Sequence, residues 1–304
     1  MKNTIYDIAL SYADKQEHIV DPLQREAPLF QNLPCMETSK MDKNIFEIVK
    51  DVAIPTVNDF DAPLPKLYAN TELNYASLAK IGGRIELPLD KCRMLGKAEL
   101  IQKQMPVILN RAGQAFDASF MYNSLRKFCL EHASDCVTNA GGGDSGGYSI
   151  VGITWGEGEN YGLFKPALSG QKMFEIYPIG GGNIINIKDK DGKDISGYAI
   201  EMVMFLGIQL ARLDRIHSIV NIDATHLPTF NQLLDMVYSI GGYGDNSVFF
   251  AHPKLIYKLR SQYMADNQHK DGFVMDSDGN LRVDKVRFIA DPNMLDGTET
   301  KITL

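Results

Sequence analysis

One tryptophan and four cysteines in 304 residues, fewer bases than acids, and no long apolar run are the first features of this chain. Each shortage removes a class of function. Cys35, Cys92, Cys129 and Cys136 make no CxxC pair and have no paired histidine nearby, so neither a zinc site nor a redox motif is expected. They read as reduced, buried thiols of a cytoplasmic protein. Lysine and arginine total 31 against 38 aspartates and glutamates, a net charge of −7 without a basic arm, which argues against a tight sequence-independent grip on nucleic acid. The most apolar stretch, Tyr198 to Leu213, is interrupted by Glu201 and Gln209 and is shorter than the roughly 20 residues that span a bilayer, so no membrane partner is expected. Met1 to Leu10 carries one lysine and no apolar core, so no signal peptide is expected. No Gly-Lys-Ser or Gly-Lys-Thr triplet occurs, and with it goes a Walker phosphate loop.

What is present is ordinary for a folded chain. Hydrophobic residues make up 44% and charged residues 23%, which rules out a disordered or disulfide-scaffold class, and the length suits about two domains of roughly 150 residues. The first 35 or so residues carry weak helical signals broken by Pro22, Pro28 and Pro34 and read as an extended arm. Asn44–Val52 and Arg84–Pro88 alternate like strands and flank a Pro-, Asn- and Asp-rich stretch from Pro55 to Asn74, the pattern of a long two-stranded loop with an irregular tip.

From Lys97 to His132 the spacing turns helical. Leu109, Ala112, Phe116 and Phe120 recur at intervals of three or four, and Met121, Leu125 and Phe128 continue with a one-step drift. A helix from Pro106 to Glu131 would be a rod of about 39 Å. Strand signals then dominate: Ser149–Trp155, Gln171–Tyr177 and Asn183–Lys188, with Asp189–Gly192 as a hairpin turn. Helices are expected at Pro228–Ile240, capped by Gly241 and Gly242, and at Pro253–Met264, after a strand at Val248–Ala251. The chain closes in a hairpin of Gly272–Met275 and Leu281–Ala290 across Asp276–Gly279.

Four patterns resemble catalytic or ligand motifs, and none is complete. Gly143-Asp-Ser-Gly-Gly147 matches the pentapeptide around the nucleophile of chymotrypsin-like proteases, yet only His18 and His132 precede it and neither stands in a suitable setting. Gly141, Gly143 and Gly146 satisfy GxGxxG, but a β-like run follows where a helix must open. A glycine-rich surface loop is the reading preferred for both. Asp189, Asp191 and Asp194, like Asp276 and Asp278, place an apolar residue where a calcium loop needs its first carboxylate. His217, Asp223 and His226 offer metal-ligand chemistry without the spacing of a ligand helix. No cofactor or metal is expected; a hydrolase using Ser145, or a metal at His217, Asp223 and His226, is the alternative function.

The order of parts, Pro-broken arm, long β-loop, one spine helix, β-rich region with two helices, closing hairpin, resembles the major capsid proteins of tailed bacteriophages, the Hong Kong 97-like fold. Segments agree as well as layout. Ile54-Pro-Thr-Val57 is similar to a Leu-Pro-Thr-Val segment near the extended loop in the branch of these proteins with a Trp-Gly core motif. Ser149-Ile-Val-Gly-Ile-Thr-Trp155-Gly156, then Gly162-Leu-Phe-Lys165 and Gly170, resembles that motif and its continuation. Leu213-Asp-Arg-Ile216 with Val220-Asn-Ile-Asp223 resembles its Asp-Trp-Arg segment ending in Ala-Asn-Ile-Asp, and Arg287–Asp291 with Leu295-Asp-Gly-Thr-Glu299 its last strand and ending. Two departures stand out: Asp59-Phe60 replaces a Trp-Arg pair, and Lys165-Pro166 inverts Pro-Lys.

The resemblance implies an α+β fold with an arm at 1–43, an extended loop and flanking strands at 44–96, the spine helix of a peripheral domain at 97–140, a mainly axial domain at 141–270 and a C-terminal hairpin at 271–304. It implies a virion protein, made in the bacterial cytoplasm, whose main partner is itself in pentamers and hexamers. A separate scaffolding protein, a portal, a decoration or cement protein, and packaged double-stranded DNA held by weak contacts complete the set. Pro55, Thr56, Pro63, Pro65 and Lys66 would touch neighbouring subunits, and Trp155 would pack in the axial core. Gly241, Gly242, Tyr243 and Gly244 are either a helix cap alone or a loop at the capsomer axis. Lys66 and Lys80 are the lysines placed for a cross-link, and no partner asparagine is identified. The acidic balance suits a container that must not grip its DNA.

Overall fold

The computed structural model describes residues 27–40, 42–52, 69–96, 111–143, 147–156, 159–165, 174–242, 244–265, 273–275 and 281–304. Most of the arm, the loop tip with Pro55, Thr56, Pro63, Pro65 and Lys66, the start of the spine helix, Ser145, Tyr243 and the Asp276–Gly279 turn lie outside them.

Two sheets share the chain. Strand β6 (Tyr148–Thr154) is an inner strand of the first, with β11 (Ile216–Ile222) and β12 (Ser247–Ala251) antiparallel on either side. Beyond them lie β5 (Val137–Asn139), parallel to β11, and β15 (Val286–Ala290), parallel to β12; β14 (Leu281–Val283) and β13 (Phe273–Met275) complete seven strands. Six of the seven β6 residues are buried, so this strand is covered on both faces and reads as a continuous apolar run. Successive side chains part to opposite sides. Val151 and Ile153 join a core with Met121, Leu125 and Cys129 of the spine helix, and Tyr148 and Ile150 join one with Leu233, Met236, Val237, Leu255 and Leu259. The latter come from two helices, α5 (Phe230–Ser239) and α6 (Pro253–Ala265), closing the other face. At Gly152 a Cβ would lie 2.7 Å from both Met236 Cε and the Phe249 ring, so only glycine admits this helix at this distance.

The second sheet is organised by β10 (Asp194–Leu210), seventeen residues long. One edge pairs with β4 (Ala79–Pro88). The other receives in turn β7 (Asn160–Lys165), β8 (Phe174–Pro178) and β9 (Ile185–Lys188), and β1 (Cys35–Glu37) adds to β7. Strands β7 to β10 therefore share a sheet with β1 and β4, so the range 141–270 is spread over both sheets.

Among the described residues two helices precede the spine: α1 (Pro28–Asn32) and α2 (Leu89–Leu95). The spine, α3, is helical through 111–120, widens into a π-helical segment at Met121–Arg126, resumes at Lys127–Glu131, and is followed after His132 by a short turn, α4 (Ala133–Cys136). The widened segment explains the one-step drift of apolar spacing at Phe120–Met121, because a π turn absorbs an extra residue. Its buried line runs Gly113, Asp117, Met121, Leu125, Cys129, while Phe116 and Phe120 sit half-buried beside it. All four cysteines are buried and free, and desolvation pushes the Cys35 and Cys129 thiols far above their ordinary range.

Two sequence expectations are corrected. Leu281–Ala290 is not one strand: it folds back between β14 and β15 at Asp284, which adopts φ 52°, a conformation aspartate tolerates in a two-residue turn. The Gly141–Gly147 stretch is not an open surface loop where described, since Gly142 and Gly143 are buried against Asp223. A Cβ on Gly142 would meet Asp223 Oδ2 at 2.3 Å.

Candidate assembly surfaces

Strands β2 (Lys43–Val52) and β3 (Ala69–Ser77) pair only with each other, from Lys43↔Ser77 to Val52↔Ala69, with a bulge between Val49 and Asp51. They form the expected two-stranded loop. Eight of the nine β3 residues are exposed. Ile45 faces Tyr75 and Glu47 faces Leu73 across the ribbon, so alternation puts these four on one side, with Leu73 at 69% and Tyr75 at 66% exposure. An isolated two-stranded ribbon is marginal in water, and Leu73 and Tyr75 are large apolar side chains left mostly exposed on it.

The ribbon is fixed at its root. Asn44 Nδ2 donates to Gln209 Oε1 at 2.8 Å and to Tyr161 Oη at 3.2 Å, joining β2 to β10 and β7, and Asn44 Oδ1 accepts from Ser39 Oγ at 2.9 Å. Gln209 is fully buried, so this amide pair sits in low dielectric where alignment matters. Lys80 is not at the loop tip: it lies on β4, and its Nζ pairs with Glu201 Oε1 of β10 at 3.2 Å.

The chain passes from the first sheet to the second at Trp155–Glu159 and returns at 211–215. Trp155 is 4% exposed, in the core that includes the spine helix. Buried Asn160 clips the two crossings together: its Oδ1 accepts from the Ala211 and Arg212 amides, at 2.9 and 3.1 Å, and its Nδ2 donates to the Arg212 carbonyl at 3.1 Å. Helix α5 starts with a Thr229–Gln232 capping box and ends with Gly241 at φ 59°. The Gly242 amide donates to the Val237 carbonyl at 2.8 Å, and a Cβ on Gly242 would strike Val286. Gly241 and Gly242 are thus the cap, while Gly244, with nothing near its Cβ position, opens the exposed turn into β12.

The metal triad does not assemble. His217 is buried on β11 with Nε2 2.9 Å from Thr138 Oγ1. Asp223 is committed to the backbone: Oδ2 accepts from the Gly143 amide at 3.0 Å, and Oδ1 from the Thr225 and His226 amides at 2.9 and 2.8 Å. These donors hold its carboxyl far below the usual range. His226 stays beside it, with Nδ1 at 3.0 Å. Among the described residues no three His, Cys, Asp or Glu side chains are placed to hold a metal ion, and no helix is long and apolar enough to cross a membrane. The hydrolase alternative finds no support here.

The residues that sequence reasoning did not single out join the C-terminal segment to the spine. Glu299 is 4% exposed, and its carboxylate accepts from Tyr122 Oη at 2.7 Å and from Ser149 Oγ at 2.7 and 2.8 Å, with Arg126 Nη2 at 3.1 Å. Its backbone exchanges two hydrogen bonds with Gly147. One glutamate therefore ties α3, β6 and the chain end. A second contact is acidic: Asp117 of α3 and Asp291, just after β15, are both fully buried. Burial and mutual repulsion raise the Asp117 carboxyl well above the ordinary carboxylate range, and burial raises Asp291 too. The Glu299 signal lay in the Leu295–Glu299 ending; that of Asp117 was a charge in line with Met121 and Leu125.

Spine helix, root-anchored ribbon, long-stranded sheet and seven-stranded sheet under two helices together make the Hong Kong 97-like capsid fold. A cryo-EM structure of bacteriophage Epsilon15 contains a chain similar over 89% of this chain and 88% of its own, at a TM-score of 0.58 and 14% identity. A chain in the procapsid of bacteriophage JBD30 matches over 94% of this chain and 99% of its own, at 0.40 and 10%, and one of Mycobacterium phage Cain over 64% and 90%, at 0.43 and 5%. The fold assignment rests on the first. No protein-family model matches the chain, and no curated protein does.

Proposed function

We propose that this chain is the major capsid protein of a tailed bacteriophage, a structural subunit that assembles with its own copies into pentamers and hexamers and then an icosahedral head around double-stranded DNA. The β2–β3 ribbon carries the reading. It presents Ile45, Leu73 and Tyr75 to solvent while Asn44 holds its root to the buried Gln209. That is the build of an arm meant to lie on a neighbour: its direction is fixed beforehand, so less ordering entropy is lost on docking. The tip residues Pro55, Thr56, Pro63, Pro65 and Lys66 extend this contact, and the turn at Gly244, beyond the Gly241–Gly242 cap, faces the capsomer axis. A separate scaffolding protein, a portal and a decoration protein are the remaining partners, and contact with DNA is weak and non-specific. The site of action is the virion, after assembly in the bacterial cytoplasm.

The test is assembly of the full chain co-expressed with its phage scaffolding protein, viewed by negative-stain microscopy. Closed shells are expected from wild type. Leu73→Asp with Tyr75→Asp should abolish shells and leave a folded, soluble subunit. Wild-type shells from that double variant, or a strictly monomeric wild type at high concentration, would overturn the reading; tubes or trimers would indicate a tail or decoration protein instead.

A further inference from the structure

The buried line of the spine helix is apolar except at Asp117. Its Oδ2 accepts from Asn293 Nδ2 at 3.0 Å, and the Phe30 amide of α1 also donates to this carboxyl. Asp291 lies in the same cage: its Oδ1 accepts from the Asn293 amide at 2.8 Å, and its own amide donates to the Ala251 carbonyl. Asn293 thus serves both carboxyls. Each then has one oxygen, Asp117 Oδ1 and Asp291 Oδ2, that receives no donor from any other group among the described residues, although both residues have zero exposure. The two side chains are in hydrogen-bonding contact with each other, and two carboxyls that meet in a buried site are stabilised by a hydrogen between them.

Among the described residues, no cation is one of the groups that act on Asp117. On α1, Asn32 Oδ1 accepts from Arg287 Nη2 of β15 at 2.6 Å, which holds that guanidinium elsewhere. On α3, Arg126 is engaged by Glu299. In the C-terminal segment Asp296 is paired with Lys254 and lies near His252, whose ring follows β12 and is held below its ordinary range by burial. The charge that acts on Asp117 is that of Asp291, another anion.

We propose that Asp117 and Asp291 share a single proton, Asp117 donating to Asp291, and that this proton is a pH-sensitive clasp joining α1, the spine helix and the C-terminal segment. It belongs to the fold and holds whether or not the chain forms shells. The direction follows from linkage. The folded pair binds a proton that two ordinary carboxyls release near pH 4, so the clasp is complete in mild acid and is lost as pH rises through and above neutrality. Over that window one bound proton lowers the folding constant by up to about tenfold per pH unit.

The experiment is urea unfolding of the full-length chain between about pH 5 and about pH 9, followed by the fluorescence of Trp155, the single tryptophan, for wild type, Asp117→Asn and Asp291→Asn. An amide at either position donates permanently. Wild type should lose stability across this range, and each variant should flatten the loss by about the slope of one proton. Subtracting variant from wild type removes His217, His252 and every other group common to both. A wild-type slope retained in both variants would overturn the proposal. Should one variant fail to fold, the other still decides it, as does infrared spectroscopy of wild type at neutral pH. A protonated-carboxyl stretch that disappears on raising the pH supports the shared proton, and its absence refutes it.

Discussion

Strands β2 and β6 draw on the same residue types, isoleucine, valine and an aromatic, and meet opposite fates. Strand β6 is buried on both faces, with Val151 and Ile153 against the spine helix and Ile150 against α5 and α6. The β2–β3 ribbon leaves Ile45, Leu73 and Tyr75 in solvent. The difference lies in what interrupts the apolar residues. In β6 the interruptions are Ser149 and Gly152, one bonded to Glu299 and the other giving room to Met236 and Phe249. In β2 they are Asn44, bonded to Gln209 at the ribbon's root, and Glu47, which is exposed. Core and interface strands are thus told apart by the fate of their polar positions.

The contrast is broken if mutations in the two places cost alike. Arg126→Met should have the largest effect, about 3–5 kcal/mol in urea unfolding, because Glu299 would stay buried without its cation. Ile150→Ala should follow at about 2–5 kcal/mol, from lost burial plus the cavity left between β6 and the α5 and α6 helices. Arg126 sits where α3, β6 and the chain end meet, and Ile150 lies on the other face of β6. Little change in unfolding midpoint for both would mean that the seven-stranded sheet is not the stable centre of the subunit.

Much of this centre was legible in the sequence. Strands β6 and β12 are short apolar runs, and α5 carries both of its caps, Thr229 with Gln232 at one end and Gly241 at the other. The π-helical segment left its trace as the drift at Phe120–Met121. The sheet partition was not legible, because the crossings to β7 and from β10 are held by non-local bonds such as those of Asn160 and Glu159. The Asp284 turn was hidden by alternation that continues across it from Leu281 to Ala290. Asp117 was hidden for a different reason. A charge in a helix is expected to face water, and only the partner at Asp291, 174 positions along the chain, makes it a buried acid. The fold was therefore read from local signals, and the clasps, which are long-range pairings of polar groups, were not.

The ribbon supplies the smaller effects. Asn44→Ala should cost about 1 kcal/mol, since the buried Gln209 Oε1 would lose its 2.8 Å donor and keep the longer bond from Tyr161 Oη at 3.3 Å. Its larger consequence should be geometric: with the root free, shells formed by the variant should be fewer and irregular under the microscope, although the subunit folds. Asn44→Asp sharpens the point, because it keeps the acceptor for Ser39 and loses the donor to Gln209. Shells as regular as wild type from both variants would show that direction is set elsewhere.

Leu73→Thr should do least to the isolated subunit. Leu73 is 69% exposed, its cross-strand neighbour is Glu47, and threonine suits a strand at least as well, so the change in unfolding free energy should stay within about 0.5 kcal/mol. The same substitution measured in assembled shells is expected to lower their resistance to urea, because there the leucine has a neighbouring subunit to cover it. A cost above about 1 kcal/mol in the free subunit would mean that the ribbon packs on its own body. It would then be one more piece of core, and the division between β2 and β6 would fall.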